Sequence, residues 1–549
     1  MEVIETIFFF VILIGVLIFV HEGGHFLMAK AFKVKVFTFS LGFGPKLIGF
    51  RKGETLYKIS AVPVGGYVKM LGEDPSERID PADRGRAITD KPFWQRFLII
   101  IGGPLMNAIF PLFLHFGVGL TVAEVMPSEV GTVIPGMPAH EAGMRPGDRI
   151  VAIEGEPIAS FSEMVAMIEP HPGEPLEFTV LRGEEELTLT VSPEQVKRTV
   201  LLTEKETVGI IGVMANYLAP VVGVEDPASP AGEAGLLTFD RVKSADGREI
   251  ERLLDLERAL VEAAGRDVEL VVERFRDDLK PPFRDPYEPL ALVKTISVPS
   301  GATTLADLGV HDSLDFVAYV DPEGAAAAIG IERGDRLLAL DGKPYASGQI
   351  WPAIDRQPDS ERLLVWSRGG QRFEKAFKPK FIPAGEAGDL GIARDAYDKG
   401  FWGFAKTTPV EPIPNPSRLG NALGYAWDET VRGVRMIGVG FKLLFKGEVS
   451  LRTLGGPIMI GQLAGMAGQQ GASSFIWMMA LISLNLALFN LLPIPVLDGG
   501  QLVFIGFEAI KRKPISRLVK ERVMLVGLAM ILVLLVFATW NDIARLIVG

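Results

Sequence analysis

His21-Glu22-Gly23-Gly24-His25 sets two histidines four residues apart with a glutamate beside the first. On a helix, residues four apart share a face, so His21 and His25 can present two imidazoles to one metal ion. Glu22 then stands where a carboxylate can take a proton from a metal-activated water, which is the chemistry of hydrolysis. From Met1 to Phe32, Glu2 and Glu5 are the charged residues ahead of the motif, and a run of Phe, Val, Ile and Leu leads straight into it. Ionisable groups at membrane depth are costly and read as functional. The bland alternative is a chance match on a surface helix; with 6 histidines in 549 residues, such a pairing is rare.

Two histidines do not complete a metal site. Near the other end of the chain, Ser483 to Gly500 forms a second apolar run, broken by Pro493 and Pro495 and followed by Asp498-Gly499-Gly500. Proline removes a backbone donor and bends a helix, and at membrane depth the freed carbonyls need partners or water. Two His and one carboxylate leave a fourth zinc position open, the catalytic rather than the structural arrangement. Read alone, Asp498 is equally an interfacial helix cap with Gly499 and Gly500 in a turn. Paired with HExxH in an apolar run, it reads as the third ligand.

HEGGH at 21–25 and NLLPIPVLDGG at 490–500 together resemble the site-2 protease family of intramembrane zinc metalloproteases, in particular the bacterial regulator-of-sigma-E protease type with PDZ domains. GFGP at 42–45, PVGGYVKMLGE at 63–73, GGPLMN at 102–107 and LGGPIMI at 454–460 support the resemblance along most of the chain. It implies Zn2+ on His21, His25 and Asp498, with Glu22 as the catalytic base. It also implies substrate-binding roles for Asn485 and Asn490, whose amides can bond a freed substrate backbone; the competing reading is helix–helix hydrogen bonding. The stretch 59–70 alternates in strand fashion around Pro63 and Gly65-Gly66-Tyr67. In the resembling family such a membrane-associated hairpin takes substrate as an added strand, which makes Gly65, Gly66 and Tyr67 substrate-binding candidates.

The elements that must position these residues are membrane helices. Hydrophobic residues make up 48 % of the chain, and spans are expected at roughly 4–30, 95–120, 474–497 and 523–541. The first is not read as a cleaved signal peptide: it lacks a basic front end, and cleavage would remove the ligands. From Lys30 to Arg96 there are 13 Lys or Arg against 7 Asp or Glu, and Lys511 to Arg522 is again basic, so both loops should face the cytoplasm. The region 121–470 is acidic and reads as extracytoplasmic. There are 0 cysteines, so no disulfide and no thiolate ligand is available. A net charge of −11 argues against nucleic acid.

A repeat runs through 130–345. Its copies contain Ala142-Gly143…Gly147-Asp148-Arg149-Ile150, Ala234-Gly235…Asp240-Arg241-Val242 and Gly330…Gly334-Asp335-Arg336-Leu337. Each joins a strand, a Pro/Ala-rich turn into a short helix, a Gly-Asp or Asp turn and another strand. The arrangement resembles PDZ domains, with three copies where the family comparison leads one to expect two. The segment 277–300 looks like an insertion or long hairpin, 409–416 like a stiff extended connector, and 418–446 like a helix lying on the outer membrane surface.

The fold expected is a polytopic α-helical membrane protein with about four transmembrane helices and tandem extracytoplasmic PDZ-like α+β domains. Its parts are 1–120 (membrane, with the hairpin), PDZ-like 121–200, 205–300 and 310–385, connector and interfacial helices 386–470, and membrane 471–549. The function expected is a zinc-dependent intramembrane endopeptidase in the bacterial inner membrane. It would cut single-span substrates, anti-sigma factors or signal-peptide remnants, after outer-side trimming, and take peptide C-termini at PDZ grooves. The competing reading is a membrane-anchored PDZ scaffold with a non-catalytic metal site; a zinc transporter would need a continuous polar path that the second and fourth spans lack.

Overall fold

Where no water is present to satisfy backbone N–H and C=O groups, long apolar runs can only be helices. The computed structural model describes residues 2–73, 79–201, 204–276, 278–279, 286–344, 360–382, 396–398, 401–402, 406–447, 455–511, 513 and 515–548. The chain divides into two compact units, one of residues 1–123, 199–204 and 415–549, the other of 124–198 and 205–414.

The first unit comprises α1 (Glu2–Ala31), β1 (Val36–Lys52), β2 (Thr55–Met70), α2 (Phe93–Thr121), α3 (Arg418–Lys446), α4 (Pro457–Gln470), α5 (Ala472–Asn490), α6 (Asp498–Lys511) and α7 (Arg517–Val548). Four stretches, Ile4–Ala31, Phe93–Thr121, Ala472–Asn490 and Leu518–Arg545, are long and apolar enough to cross a membrane, and the chain is a membrane protein. The third stretch is shorter than the 474–497 expected from hydropathy. Pro493 and Pro495 lack donors and disfavour helix in the residues before them, so α5 ends at Asn490 and residues 491–497 turn tightly into α6.

Glycines set how closely these helices meet. A Cβ on Gly24 of α1 would collide with the carbonyl oxygen of Gly102 on α2, so the two helices cross backbone to backbone there. Gly465 and Gly468 of α4 lie likewise against Thr6 and Phe9 of α1. The N-terminus of α4 is held from α7: buried Asp542 accepts from the N–H groups of Gly456, Ile458 and Met459 at 2.9, 3.1 and 3.1 Å. Those are donors a helix cannot satisfy internally. Helix α3 packs against α2 through one face. Its small residues Ala422 and Ala426 are buried, Ala422 fitting against Gly119 of α2, while Leu419, Leu423 and Trp427 face outward. Small side chains win the helix contact because they permit the closer approach.

The expected hairpin at 59–70 is also more than a hairpin. Residues 36–41 lie between two segments of β2, pairing Phe39 with Val68 and Leu41 with Gly66 on one side, and Phe39 with Tyr57 and Leu41 with Ile59 on the other. Residues 46–52 pair with 55–60 to extend the sheet. Its far end exposes Phe43, Leu47, Ile48 and Phe50, an apolar surface of the kind that meets lipid or protein rather than water.

In the second unit the sequence repeat becomes three four-stranded antiparallel sheets of one order. The strands run 156–157, 149–153, 176–182, 185–191 in the first; 248–249, 241–245, 267–275, 287–297 in the second; and 343–344, 336–340, 362–368, 371–377 in the third. Each sheet carries its own apolar cluster, centred on Phe178, Leu270 and Trp366. Tyr287–Ser297, expected within an insertion or long hairpin, is the fourth strand of the second sheet and pairs antiparallel with 267–275; 277 and 280–285 lie outside the described residues. The 409–416 connector takes part in strand pairing, Thr407–Pro409 with Asn216–Leu218 and Ile413–Pro414 with Glu124–Val125.

One junction in this unit should respond to pH. Strand 222–224 pairs with 310–312, and Arg336 lies within 3.4 Å of Glu225, 3.2 Å of His311 and 3.7 Å of Asp315. Burial pushes the Asp312 carboxyl from 3.8 up to about 7, with Asp315 adding to the effect and the Leu314 N–H opposing it. Burial also raises Asp315 to about 6 against the pull of Arg336. An acid whose folded pKa is raised stabilises the fold while protonated. For Asp312 that contribution is complete below the unfolded value of 3.8 and is lost as pH rises through about 7. His311, whose pKa burial lowers, contributes the opposite slope, so Asp312 is read by difference: Asp312→Asn should raise the melting temperature of the full chain relative to the parent by a few degrees more at about pH 8 than at about pH 5. An unchanged slope in the variant would mean that Asp312 ionises freely in the fold.

Candidate metal centre

His21 and His25 lie one helical turn apart on α1, and Asp498 is the first residue of α6. The structure brings the donor atoms of these three within 4.8 Å of one another. His21 Nε2 is 3.1 Å and His25 Nε2 is 3.5 Å from Asp498 Oδ2, and the two Nε2 atoms are 3.3 Å apart. Zinc–nitrogen and zinc–oxygen bonds of about 2.05 Å at tetrahedral angles put neighbouring ligand atoms about 3.3 Å apart. The three separations fit one zinc ion. The His25 Nδ1–H donates to the Ile99 carbonyl at 2.9 Å, which leaves a lone pair on Nε2 for a metal.

Local sequence explains why the groups converge. Gly103 of α2 lies under both imidazoles: a Cβ there would collide with His25 and come within 2.9 Å of His21 Cε1. Gly499 and Gly500 follow Asp498 in the first turn of α6. Cβ atoms there would strike the carbonyls of Leu492 and Ile494, so the glycines let the chain double back tightly enough to seat Asp498. Glu22, next to His21 in the chain, lies against β2. A Cβ on Gly66 would lie 3.1 Å from Glu22 Cγ, and the glutamate carboxyl reaches the backbone of Val68.

The other candidates occupy distinct places. Gly65, Gly66 and Tyr67 lie on the segment of β2 beside Glu22; Gly65 has φ +96°, and Tyr67 stacks on Phe43 with centroids 6.0 Å apart. Asn485 and Asn490 are half-buried on α5, about 140° apart around the helix, and neither side chain has a hydrogen-bond partner among the described residues. They are not among the clustered donors. Between α1 and the sheet is an apolar cavity of about 250 Å³ lined by Phe19, Phe39, Ile48, Phe50, Tyr57 and Ile59. Gly103 and Asn107, read from sequence as part of the GGPLMN stretch at 102–107, were given no role at the site. A glycine, a proline and an asparagine inside an apolar span were the available signal, since each weakens a helix that merely has to cross lipid.

The profile of peptidase family M50 matches residues 9–534. The regulator of sigma-E protease RseP of Escherichia coli (strain K12) is 28 % identical over 551 residues, covering 98 % of each chain. The regulator of sigma E protease of Salmonella typhi is 26 % identical over 553 residues, with 98 % of each covered. A Neisseria meningitidis protein whose name assigns it provisionally to the zinc metalloproteases is 27 % identical over 550 residues, spanning 99 % of this chain and 100 % of its own.

Proposed function

The chain belongs to peptidase family M50 and is a zinc-dependent intramembrane protease, and we propose that His21, His25 and Asp498 hold its zinc while it cuts single-span membrane proteins. The observation that carries the ligand assignment is the set of three donor atoms at tetrahedral spacing among apolar helices. Bound zinc supplies Lewis acidity, which acidifies a water and polarises the scissile carbonyl. Glu22 takes the proton from the attacking water at a carboxylate oxygen. As the carbon–oxygen bond forms and the carbon–nitrogen bond breaks, Glu22 returns that proton to the leaving nitrogen.

A transmembrane helix hides its peptide bonds, so the substrate must be unwound at the site. The 66–70 segment of β2 pairs with 36–41 on one side and passes beside Glu22, which supports a role in receiving an unwound segment as an added strand. The amides of Asn485 and Asn490, without a partner among the described residues, are suited to hold the backbone groups so freed. The three sheets of the second unit are assigned as PDZ-like modules spanning 121–200, 205–300 and 310–385. In this reading they lie outside a bacterial inner membrane, take peptide C-termini, and restrict the enzyme to substrates already trimmed on their outer side. Anti-sigma factors and signal-peptide remnants are both of that class.

The test is cleavage by the purified full-length chain of a single-span protein with a trimmed outer domain. Mass spectrometry of the products should place the cut inside the apolar span. A chelator should stop the reaction and zinc restore it. Cuts confined to the flanking loops, or turnover indifferent to the chelator, would defeat the proposal.

A further inference from the structure

We infer that Asn107 of α2 is a positioning residue for the zinc ligand His21, fixing which ring nitrogen faces the metal. The inference rests on the ligand reading above. Asn107 is 0 % exposed, and its amide Nδ2 atom lies 3.2 Å from His21 Nδ1. Its Oδ1 is buried and has no hydrogen-bond partner among the described residues. The two orientations of an asparagine amide fill the same space, but they have opposite consequences here. With Nδ2 towards the ring, His21 must accept at Nδ1, and its proton then sits on Nε2, the atom that faces Asp498. With Oδ1 towards the ring, the amide accepts from Nδ1–H and Nε2 offers a lone pair. The second orientation gives Oδ1 a donor and moves the unpartnered place to Nδ2, so the choice between the two rests on the lone pair that a metal needs at His21 Nε2. The second orientation also matches His25, whose Nδ1–H is held by the Ile99 carbonyl. Metal-ligating histidines are held through the nitrogen remote from the metal in this way.

The backbone of Asn107 is fixed independently. Pro111 lies four residues on and has no N–H, so the Asn107 carbonyl lacks its helical partner. Ser483 of α5, itself 0 % exposed, donates its hydroxyl to that carbonyl at 2.8 Å. Asn107 is thus anchored to α5 through its backbone and to α1 through its amide.

The test is zinc affinity of the full-length chain, measured by competition with a chromophoric chelator. Asn107→Leu keeps the volume and removes the acceptor, and should weaken zinc binding roughly ten- to a hundredfold. Asn107→Asp restores an acceptor oxygen and should stay within a few fold of the parent. A packing role alone predicts the reverse order, with Leu tolerated and a buried Asp harmful, and that order would overturn the inference. A readout on the parent protein covers failure of either variant to fold. Nitrogen-15 spectra of the zinc-loaded chain should show the His21 proton on Nδ1, and a proton on Nε2 would overturn it. His21→Ala separates the two levels: zinc retained by that variant would sink the ligand assignment itself.

Discussion

Glu22→Gln is expected to lower turnover by about three orders of magnitude while leaving zinc at one per chain, since a positioned acid–base group contributes roughly 10²–10⁴. The amide keeps the size and hydrogen-bonding reach of the carboxylate but can neither take nor return a proton. Glu22 lies against Gly66 and the backbone of Val68, outside the cluster of His21, His25 and Asp498, so its neutralisation removes no ligand. Asp498→Ala should behave differently, losing zinc and turnover together, because the two imidazoles alone leave an open, weak site. Metal analysis beside a cleavage assay distinguishes the variants. Zinc lost from Glu22→Gln as completely as from Asp498→Ala would make Glu22 a ligand rather than a base. Full zinc in Asp498→Ala would remove that residue from the site.

His21, Glu22, His25 and Asp498 were legible because their chemistry is written in residue type and spacing, and a polar group in an apolar run must be explained. The three-fold repeat was legible through its turns, where Gly and Asp meet backbone demands that other residues meet poorly. Its recurring arginine–aspartate pair was not. Buried Asp148, Asp240 and Asp335 each receive a two-pronged pair from an arginine far along the chain, Arg182, Arg274 and Arg368. Each arginine also caps a carbonyl, of Gly143, Gly235 or Gly330. The aspartates stood in the repeat, but their partners are joined by strand pairing, which no local pattern announces. The same holds for β2, whose two halves flank residues 36–41 on opposite sides. Local alternation shows a strand and says nothing of which neighbours it takes. Hydropathy likewise overran the end of α5, because apolar residues 491–497 satisfy a span pattern while the prolines among them forbid the helix.

Gly103→Ala is expected to abolish stable zinc binding, although it adds a single methyl group to a residue that touches no metal. That methyl would collide with the His25 ring, and it would lie 2.9 Å from His21 Cε1, so both imidazoles must shift together. They cannot shift freely. His25 is held by the Ile99 carbonyl and α1 is pressed against α2 at Gly24 and Gly102, so the strain falls on the donor spacings that fit zinc. A displacement of a few tenths of an ångström per ring exceeds the roughly ±0.2 Å within which metal–ligand distances hold. Gly117→Ala on the same helix is the control, since a Cβ there meets nothing within 4 Å. Alanine is the better helix former by roughly 1 kcal/mol, so Gly117→Ala should be neutral or slightly stabilising. Zinc content and thermal melting of the two variants decide the matter. If Gly103→Ala holds one zinc per chain and cleaves like the parent, the imidazoles do not rest on α2. The explanation for a glycine in the middle of a membrane-spanning helix would then have to come from elsewhere.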